Sequence, residues 1–115
     1  MGRSLDTLLL TASEHKAVLE ADRRLKKLFP VEQLIVFGSV ARCQADEGSD
    51  LDLLVVTTEP MTYRMRNAMS DAIFDINLEY DTNLSIVVVD AGSWESGVLS
   101  ATPLHAEIER DGVFV

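Results

Sequence analysis

The chain has 115 residues, of which 47% are hydrophobic and 25% are charged, and its formal net charge is −9. These values predict one globular domain, residues 1–115, and the acidic balance argues against a protein that grips a long nucleic-acid backbone. The sequence has no apolar run long enough to cross a membrane, and charges follow soon after the N-terminus, so we expect a cytoplasmic protein that does not bind membranes.

The first part of the chain predicts a helix followed by a strand. Apolar residues recur at helical spacing over residues 5–29, but the apolar stripe drifts, which indicates a break or bend near Thr11 to Ser13, with Ser13 as a candidate cap of the second piece. Pro30 ends the helix, and residues 34–37 form the first predicted strand. One or two helical turns are expected within residues 39–48.

The middle of the chain predicts a strand, a long helix and a second strand. Residues 51–57 are an almost unbroken apolar run, which is typical of a central strand covered on both faces. Pro60 opens a helix at about residues 61–80, whose apolar residues have helical spacing. The β-branched residues at 84–89 then favour a strand.

The C-terminal part predicts helices. Ser93 is a candidate cap for a short one. Thr102 and Pro103 provide a cap and a first helical position, and Gly112 provides an end, so a helix is predicted over residues 103–111 with a short tail after it. The predicted fold is α/β (α+β), with a small mixed sheet of three to four strands flanked by helices.

Two carboxylates follow a glycine-serine step in this pattern. Asp50 and Asp52 are two residues apart, so in a strand they project from the same face, among apolar residues that cannot neutralise them. Gly38 and Ser39 follow the first predicted strand, where the free N–H groups of a helix start could hold an anion. The four residues predict a metal–phosphate site, although the carboxylate pair by itself is equally compatible with a polar strand entrance.

The spacing of these residues resembles a known signature. Gly38-Ser39, ten intervening residues and Asp50-Leu51-Asp52 look like the motif of the polymerase-beta-type nucleotidyltransferase superfamily. The residues that fit around the motif are Phe37, Ala41, Arg42 and Ser49. The chain is similar to the minimal nucleotidyltransferases over roughly residues 14–112, which implies a nucleotidyltransferase-like palm.

The resemblance implies roles for five residues. Gly38, Ser39 and Arg42 would bind the nucleotide phosphates, although Arg42 could equally be a surface salt-bridge residue. Asp50 and Asp52 would be catalytic and would ligate one or two Mg²⁺ ions. The implied reaction moves a nucleoside monophosphate, AMP from ATP, to an acceptor hydroxyl on a protein partner and releases pyrophosphate.

The third strand departs from the family pattern. Active members often carry another carboxylate near its start, and the aligned residue here is Ser85. Serine is neutral and cannot serve as a general base or as a strong Mg²⁺ ligand. Asp75, Glu79 and Asp90 are the nearby carboxylates that could replace it.

Other functions therefore stay open. The alternative is an antitoxin-like binding module, catalytically weak or inactive, that pairs with a helical toxin-type partner, as minimal nucleotidyltransferases often do. Aminoglycoside modification is a third option, weakened because no acceptor-binding domain is evident. The sequence leaves a homo-oligomer open.

Overall fold

The computed structural model describes residues 3–5, 8–41 and 50–115. The helices are α1 (Ala12–Leu28), α2 (Tyr63–Tyr80), α3 (Ala91–Glu95) and α4 (Pro103–Asp111), with a 3₁₀ helix at Val98–Ala101. The strands are β1 (Arg3–Ser4), β2 (Val31–Phe37), β3 (Leu51–Thr57), β4 (Leu84–Asp90) and β5 (Val113–Phe114). Within the described ranges, no helix has the length and apolar character needed to cross a membrane.

The strands form one mixed sheet in the order β1-β5-β2-β3-β4. Strand β2 runs antiparallel to β3, and β4 runs parallel to β3. The predicted mixed sheet flanked by helices is confirmed. Its three long strands are the predicted ones, and the two-residue strands β1 and β5 extend it on the β2 side.

Strand β3 lies between β2 and β4 and is covered on both faces, as predicted. Leu51, Leu53 and Val55 pack in the core that α1 and α2 complete. Leu54 and Val56 point to the other face and pack beneath α3 and α4. Because successive side chains of a strand alternate between faces, this burial assigns every residue of β3 to one layer or the other.

Helix α1 begins later than the apolar pattern predicts. Its N-cap is Thr11, whose Oγ1 accepts from the N–H of Glu14 at 3.0 Å, while Glu14 Oε1 accepts from the N–H of Thr11 at 2.9 Å. This capping box satisfies two backbone donors at once. The helix therefore begins at the predicted break near Thr11 to Ser13, whereas the predicted start near residue 5 and the predicted cap at Ser13 are wrong. Leu5 and Leu8 precede the helix but are buried in the same core, which explains the first apolar stripe.

Helix α2 begins at Tyr63, with Thr62 as its N-cap, and ends at Tyr80, with Asp81 as a C-cap in the left-handed backbone conformation at φ 54°. Asn77, in its last turn, binds the start of β4. The side-chain Oδ1 accepts from the N–H of Leu84 at 2.8 Å, and Nδ2 donates to the carbonyl of Leu84 at 3.0 Å. The end of α2 is thereby attached to the first residue of β4.

The last two helices have side-chain caps. Asp90, rather than the predicted Ser93, caps α3, because its Oδ2 accepts from the N–H of Ser93 at 3.0 Å. That hydrogen bond holds the pKa of Asp90 below its usual value. Thr102 and Pro103 start α4 as predicted.

An ion-pair group connects α1 and α2. Arg23 and Arg24 bind the carboxylate of Glu20 at 2.6 and 2.7 Å, and Arg24 also lies 3.4 Å from Glu79 of α2. The hydrogen bonds from Arg23, together with those from Arg24, lower the pKa of Glu20 to about 2.

Strand β4 is the last strand on its side of the sheet. Arg66, near the start of α2, donates from Nη1 to the carbonyl of Val88 at 3.2 Å. The next carbonyl, that of Val89, accepts from Thr57 Oγ1 of β3 at 3.3 Å. Since successive carbonyls of a strand point to opposite sides, the Val88 carbonyl faces the outer edge.

Candidate active site

Three strand ends meet at one end of the sheet. Strand β2 ends there, and β3 and β4 begin there, because β3 is antiparallel to β2 and parallel to β4. Phe37, the last residue of β2, pairs with Asp52, and Asp52 pairs with Ser85 of β4. The chain thus brings together segments that the sequence separates.

Gly38 lies directly against the carboxylate of Asp52. Its φ is +80°, a conformation that side chains with a Cβ rarely adopt, and a Cβ placed on it would collide with Asp52 Oδ2. Glycine is therefore required here for its backbone conformation and for the space that the carboxylate occupies. Ser39 follows in a turn and is half-buried.

The two carboxylates lie at the entrance to β3. Asp50 immediately precedes the strand and is exposed, whereas Asp52 is half-buried. The hydrogen bonds between β3 and the chain leading into β4 begin at the next residue, Leu51, whose N–H donates to the carbonyl of Asn83 at 3.0 Å. Asp52 shares its sheet face with Leu54 and Val56, the face that α3 and α4 cover further along.

The helices cover only part of that face. Trp94 of α3 and Ile108 of α4 pack in the cluster around Leu54 and Val56, towards the end of β3. At the other end of the face, Ser85 and Val87 of β4 are exposed. Among the described residues, those of β4 beside Asp52 are therefore not covered by α3 or α4.

The remaining predicted site elements are placed as follows. Arg42 lies outside the described residues, as does most of the helical connection predicted at 39–48, of which residues 39–41 form a turn. Asp90 pairs with Thr57 at the opposite end of β3 and β4. Glu79 binds Arg24 on the other side of the sheet, and Asp75 is exposed on α2.

Asn77 is a positioning residue that the sequence analysis missed. Its two hydrogen bonds to Leu84 determine where β4 starts, and Ser85 follows immediately. Thr82 Oγ1 donates to Asn77 Oδ1 at 3.0 Å and so joins the intervening turn to the same side chain. An asparagine in the last turn of a helix, before a polar turn and a strand, was the available signal.

The donor set suits a hard divalent cation. Asp50 and Asp52 supply carboxylate oxygens, and Mg²⁺ is typically held by one or two carboxylates, with waters and substrate phosphates completing its shell. Among the residues with described positions, no group of three or more His, Cys, Asp or Glu side chains is arranged to hold a metal. The fit therefore depends on these two aspartates and on a ligand that brings its own oxygens.

Comparison with known proteins identifies a matching family and a similar protein. The model of the nucleotidyltransferase domain matches residues 18–96. The Methanocaldococcus jannaschii protein named "Putative protein adenylyltransferase MJ0126" is 33% identical over 81 residues, which are 66% of this chain and 82% of that protein.

Solved structures share the fold. One described as a "putative minimal nucleotidyltransferase" is 28% identical, with a TM-score of 0.58, over 86% of this chain and 90% of that one. A toxin–antitoxin structure with AMP-PNP is 13% identical, with a TM-score of 0.57, over 90% of this chain and 72% of that one. The family match spans both the glycine-serine turn and the aspartate pair, and the chain belongs to the minimal nucleotidyltransferase family.

Proposed function

We propose that this protein transfers AMP from ATP to a hydroxyl group of a partner protein, with Mg²⁺ held by Asp50 and Asp52. The observation that carries the proposal is the contact of Gly38 with the Asp52 carboxylate, which supports a shared role for the turn that we propose for phosphate and the aspartates that we propose for the metal. The similarity to a protein named as a protein adenylyltransferase supports AMP as the transferred group and a protein as the acceptor.

Different residues would bind the phosphates and the metal. Backbone N–H groups at Gly38 and Ser39 and the Ser39 hydroxyl are the proposed donors for the triphosphate, and the missing side chain at Gly38 lets the Asp52 carboxylate lie directly against this turn. Asp50 and Asp52 would hold the metal, whose chemistry when bound is to neutralise charge on the attacking and leaving oxygens.

The proposed reaction breaks a phosphoanhydride bond of ATP and forms a phosphoester bond to the acceptor. The acceptor oxygen bonds to the α-phosphorus of ATP, the bond from that phosphorus to the bridging oxygen breaks, and pyrophosphate leaves as the hydroxyl proton is released. The exposed face beside Ser85 and Val87 is where an acceptor could approach Asp52.

Nucleotide titration tests the site. ATP binding is measured by calorimetry with and without Mg²⁺, for the natural chain, for Asp50→Asn and for Asp52→Asn. We expect Mg²⁺ to strengthen binding and each substitution to weaken it by about tenfold or more, because a charge-assisted contact to the metal is lost. Asp71→Asn, at an exposed residue of α2, is the matched control. Affinity unaffected by Mg²⁺ and by both site substitutions would refute the proposal.

Label transfer tests catalysis. ATP labelled at the α-phosphate should label a co-purified partner, and ATP labelled at the γ-phosphate should not, because pyrophosphate carries that atom away. Transfer of the γ label instead would indicate a kinase-type reaction and would contradict the proposed one.

A second function is favoured by Ser85. A neutral side chain lies beside Asp52 where active relatives often carry a carboxylate, so an antitoxin-like module that binds nucleotide and partner with little turnover is the alternative. The fold it shares with a toxin–antitoxin structure containing AMP-PNP fits this alternative. Nucleotide binding together with a stable partner complex but no α-label transfer would establish it.

A further inference from the structure

A second concave site lies on the same sheet face as Asp52 but near the opposite end of β3. Its volume is about 590 Å³, and it lies between β2 and β5 on one side and α3 and α4 on the other. Val56, in its wall, is four residues along β3 from Asp52, or about 13 Å at the rise of an extended strand. A volume of this size suits a small molecule or a long side chain.

The inner wall of this pocket is apolar and aromatic. Ile35 of β2 and Ile108 of α4 line it, together with Trp94 of α3. Trp94 is only 7% exposed and contacts His105, with ring centroids 4.6 Å apart and planes inclined by 43°. Packing against His105 holds the indole in place, and Phe114 of β5, which also lines the pocket and is 45% exposed, provides the accessible aromatic ring.

The rim is acidic. Glu32, Glu95 and Glu109 come from three different elements, β2, α3 and α4, and all three are exposed. His105 Nδ1 lies 3.7 Å from Glu109 Oε1. Among the described residues that line the pocket, none is a lysine or an arginine. An anion would therefore meet three carboxylates with no lysine or arginine among the lining residues, while a cation would be attracted.

We propose that this pocket binds an alkylguanidinium group, either of a free small molecule or of an arginine side chain. A guanidinium is planar, stacks on aromatic rings and pairs with carboxylates through two hydrogen bonds, and its alkyl stem suits an apolar wall. The pocket supplies an aromatic surface, carboxylates and an apolar wall in a single concavity. This site is separate from the nucleotide site and does not rest on the proposed transferase activity.

The protein contains its own reporter for this pocket, because Trp94 is the only tryptophan in the chain. L-Argininamide should change the tryptophan emission in a saturable way. L-Citrullinamide, which has the same length but an uncharged urea group, should bind at least about tenfold more weakly. Equal affinity for the two compounds, or no saturable change with either, would overturn the proposal.

Charge variants test the rim. The triple variant Glu32→Gln, Glu95→Gln, Glu109→Gln should lose about tenfold or more in affinity for L-argininamide, since each exposed carboxylate contributes a few-fold. The control triple variant, with the same net charge but changes outside the pocket, is Glu59→Gln, Asp71→Asn, Asp75→Asn. The control should keep its affinity within about twofold, and an equal loss in both would show that only overall charge matters.

Two further measurements separate the pocket from the active site and identify the source of the ligand. Asp52→Asn should leave L-argininamide binding unchanged, so failure of the nucleotide site does not affect this test. A blocked peptide, Gly-Gly-Arg-Gly-Gly, that binds as well as L-argininamide would indicate an arginine on a partner protein. Binding of L-argininamide without the peptide would indicate a free guanidinium compound, and binding of neither would exclude the site.

Discussion

Asp52 and Ser85 are paired residues on the parallel strands β3 and β4. Side chains paired in this way point to the same face of a sheet, so the hydroxyl of Ser85 lies beside the carboxylate that we assign to the metal. The pairing places a neutral group next to the strongest candidate ligand. It also places any carboxylate introduced at residue 85 next to Asp52.

Ser85→Asp should raise turnover in the α-label transfer assay by about tenfold or more, because a third carboxylate at this position could bind metal or accept a proton. Ser85→Asn, which has nearly the same shape without the charge, should not raise it. A loss of both Mg²⁺-dependent ATP binding and turnover in Ser85→Asp would contradict this prediction, since it would mean that the site tolerates only two carboxylates.

Gly38→Ala should destabilise the fold and weaken ATP binding. The methyl group meets the Asp52 carboxylate, and the positive φ is unfavourable for alanine, so we expect a cost of about 1–3 kcal/mol in the free energy of unfolding. Urea denaturation and ATP titration measure the two effects. Gly92→Ala is the control, because a Cβ there meets its nearest atom at an ordinary 3.5 Å. Comparable losses in both variants would argue against a special role for Gly38.

Thr11→Ala should lower the free energy of unfolding by about 1 kcal/mol, because it removes the hydroxyl half of the capping box with Glu14. Ser13→Ala, two residues away and exposed inside the helix, should change it by less than about 0.5 kcal/mol. Thermal or urea denaturation distinguishes them. If Ser13→Ala proved the more costly, Thr11 would not be the functional cap.

Glu20 should make stability depend on acid pH. Its folded pKa of about 2 is below the ordinary 4.5, so the stabilisation from Arg23 and Arg24 is complete above that ordinary value and is lost as the pH falls towards 2. Urea denaturation along this range should show the natural chain losing its advantage over Glu20→Gln. Glu59→Gln, at an exposed residue, controls for the loss of one negative charge. A constant difference between Glu20→Gln and the natural chain would contradict the assigned ion pairs.

Elements with strong local signals could be predicted from the sequence with correct bounds. Strand β3 matches the predicted 51–57 because its apolar run is continuous, and α4 matches 103–111 because Thr102 and Pro103 define its start. The caps of α1 and α3 were harder because several residues near each start can cap a helix. The glutamate three residues after Thr11 was the deciding signal for α1.

The site was predictable as a set of residues, whereas its contacts were not. Spacing suggested that Gly38 and Asp52 act together, but their contact depends on the antiparallel register of β2 and β3. The pocket around Trp94 had no sequence signal, because its walls come from strands and helices far apart in the chain. Short strands such as β5 likewise form only because neighbouring backbone is available to pair with them.

The hydrogen bond from Arg66 to the Val88 carbonyl affects how readily this molecule associates with other molecules through the edge of its sheet. The last strand of a sheet offers unpaired backbone groups, to which a strand from another molecule can add. Here a strand that added along β4 would first have to displace a charged side chain held by α2. Helix α2, which connects β3 to β4, thus also protects β4 from pairing with a strand of another molecule.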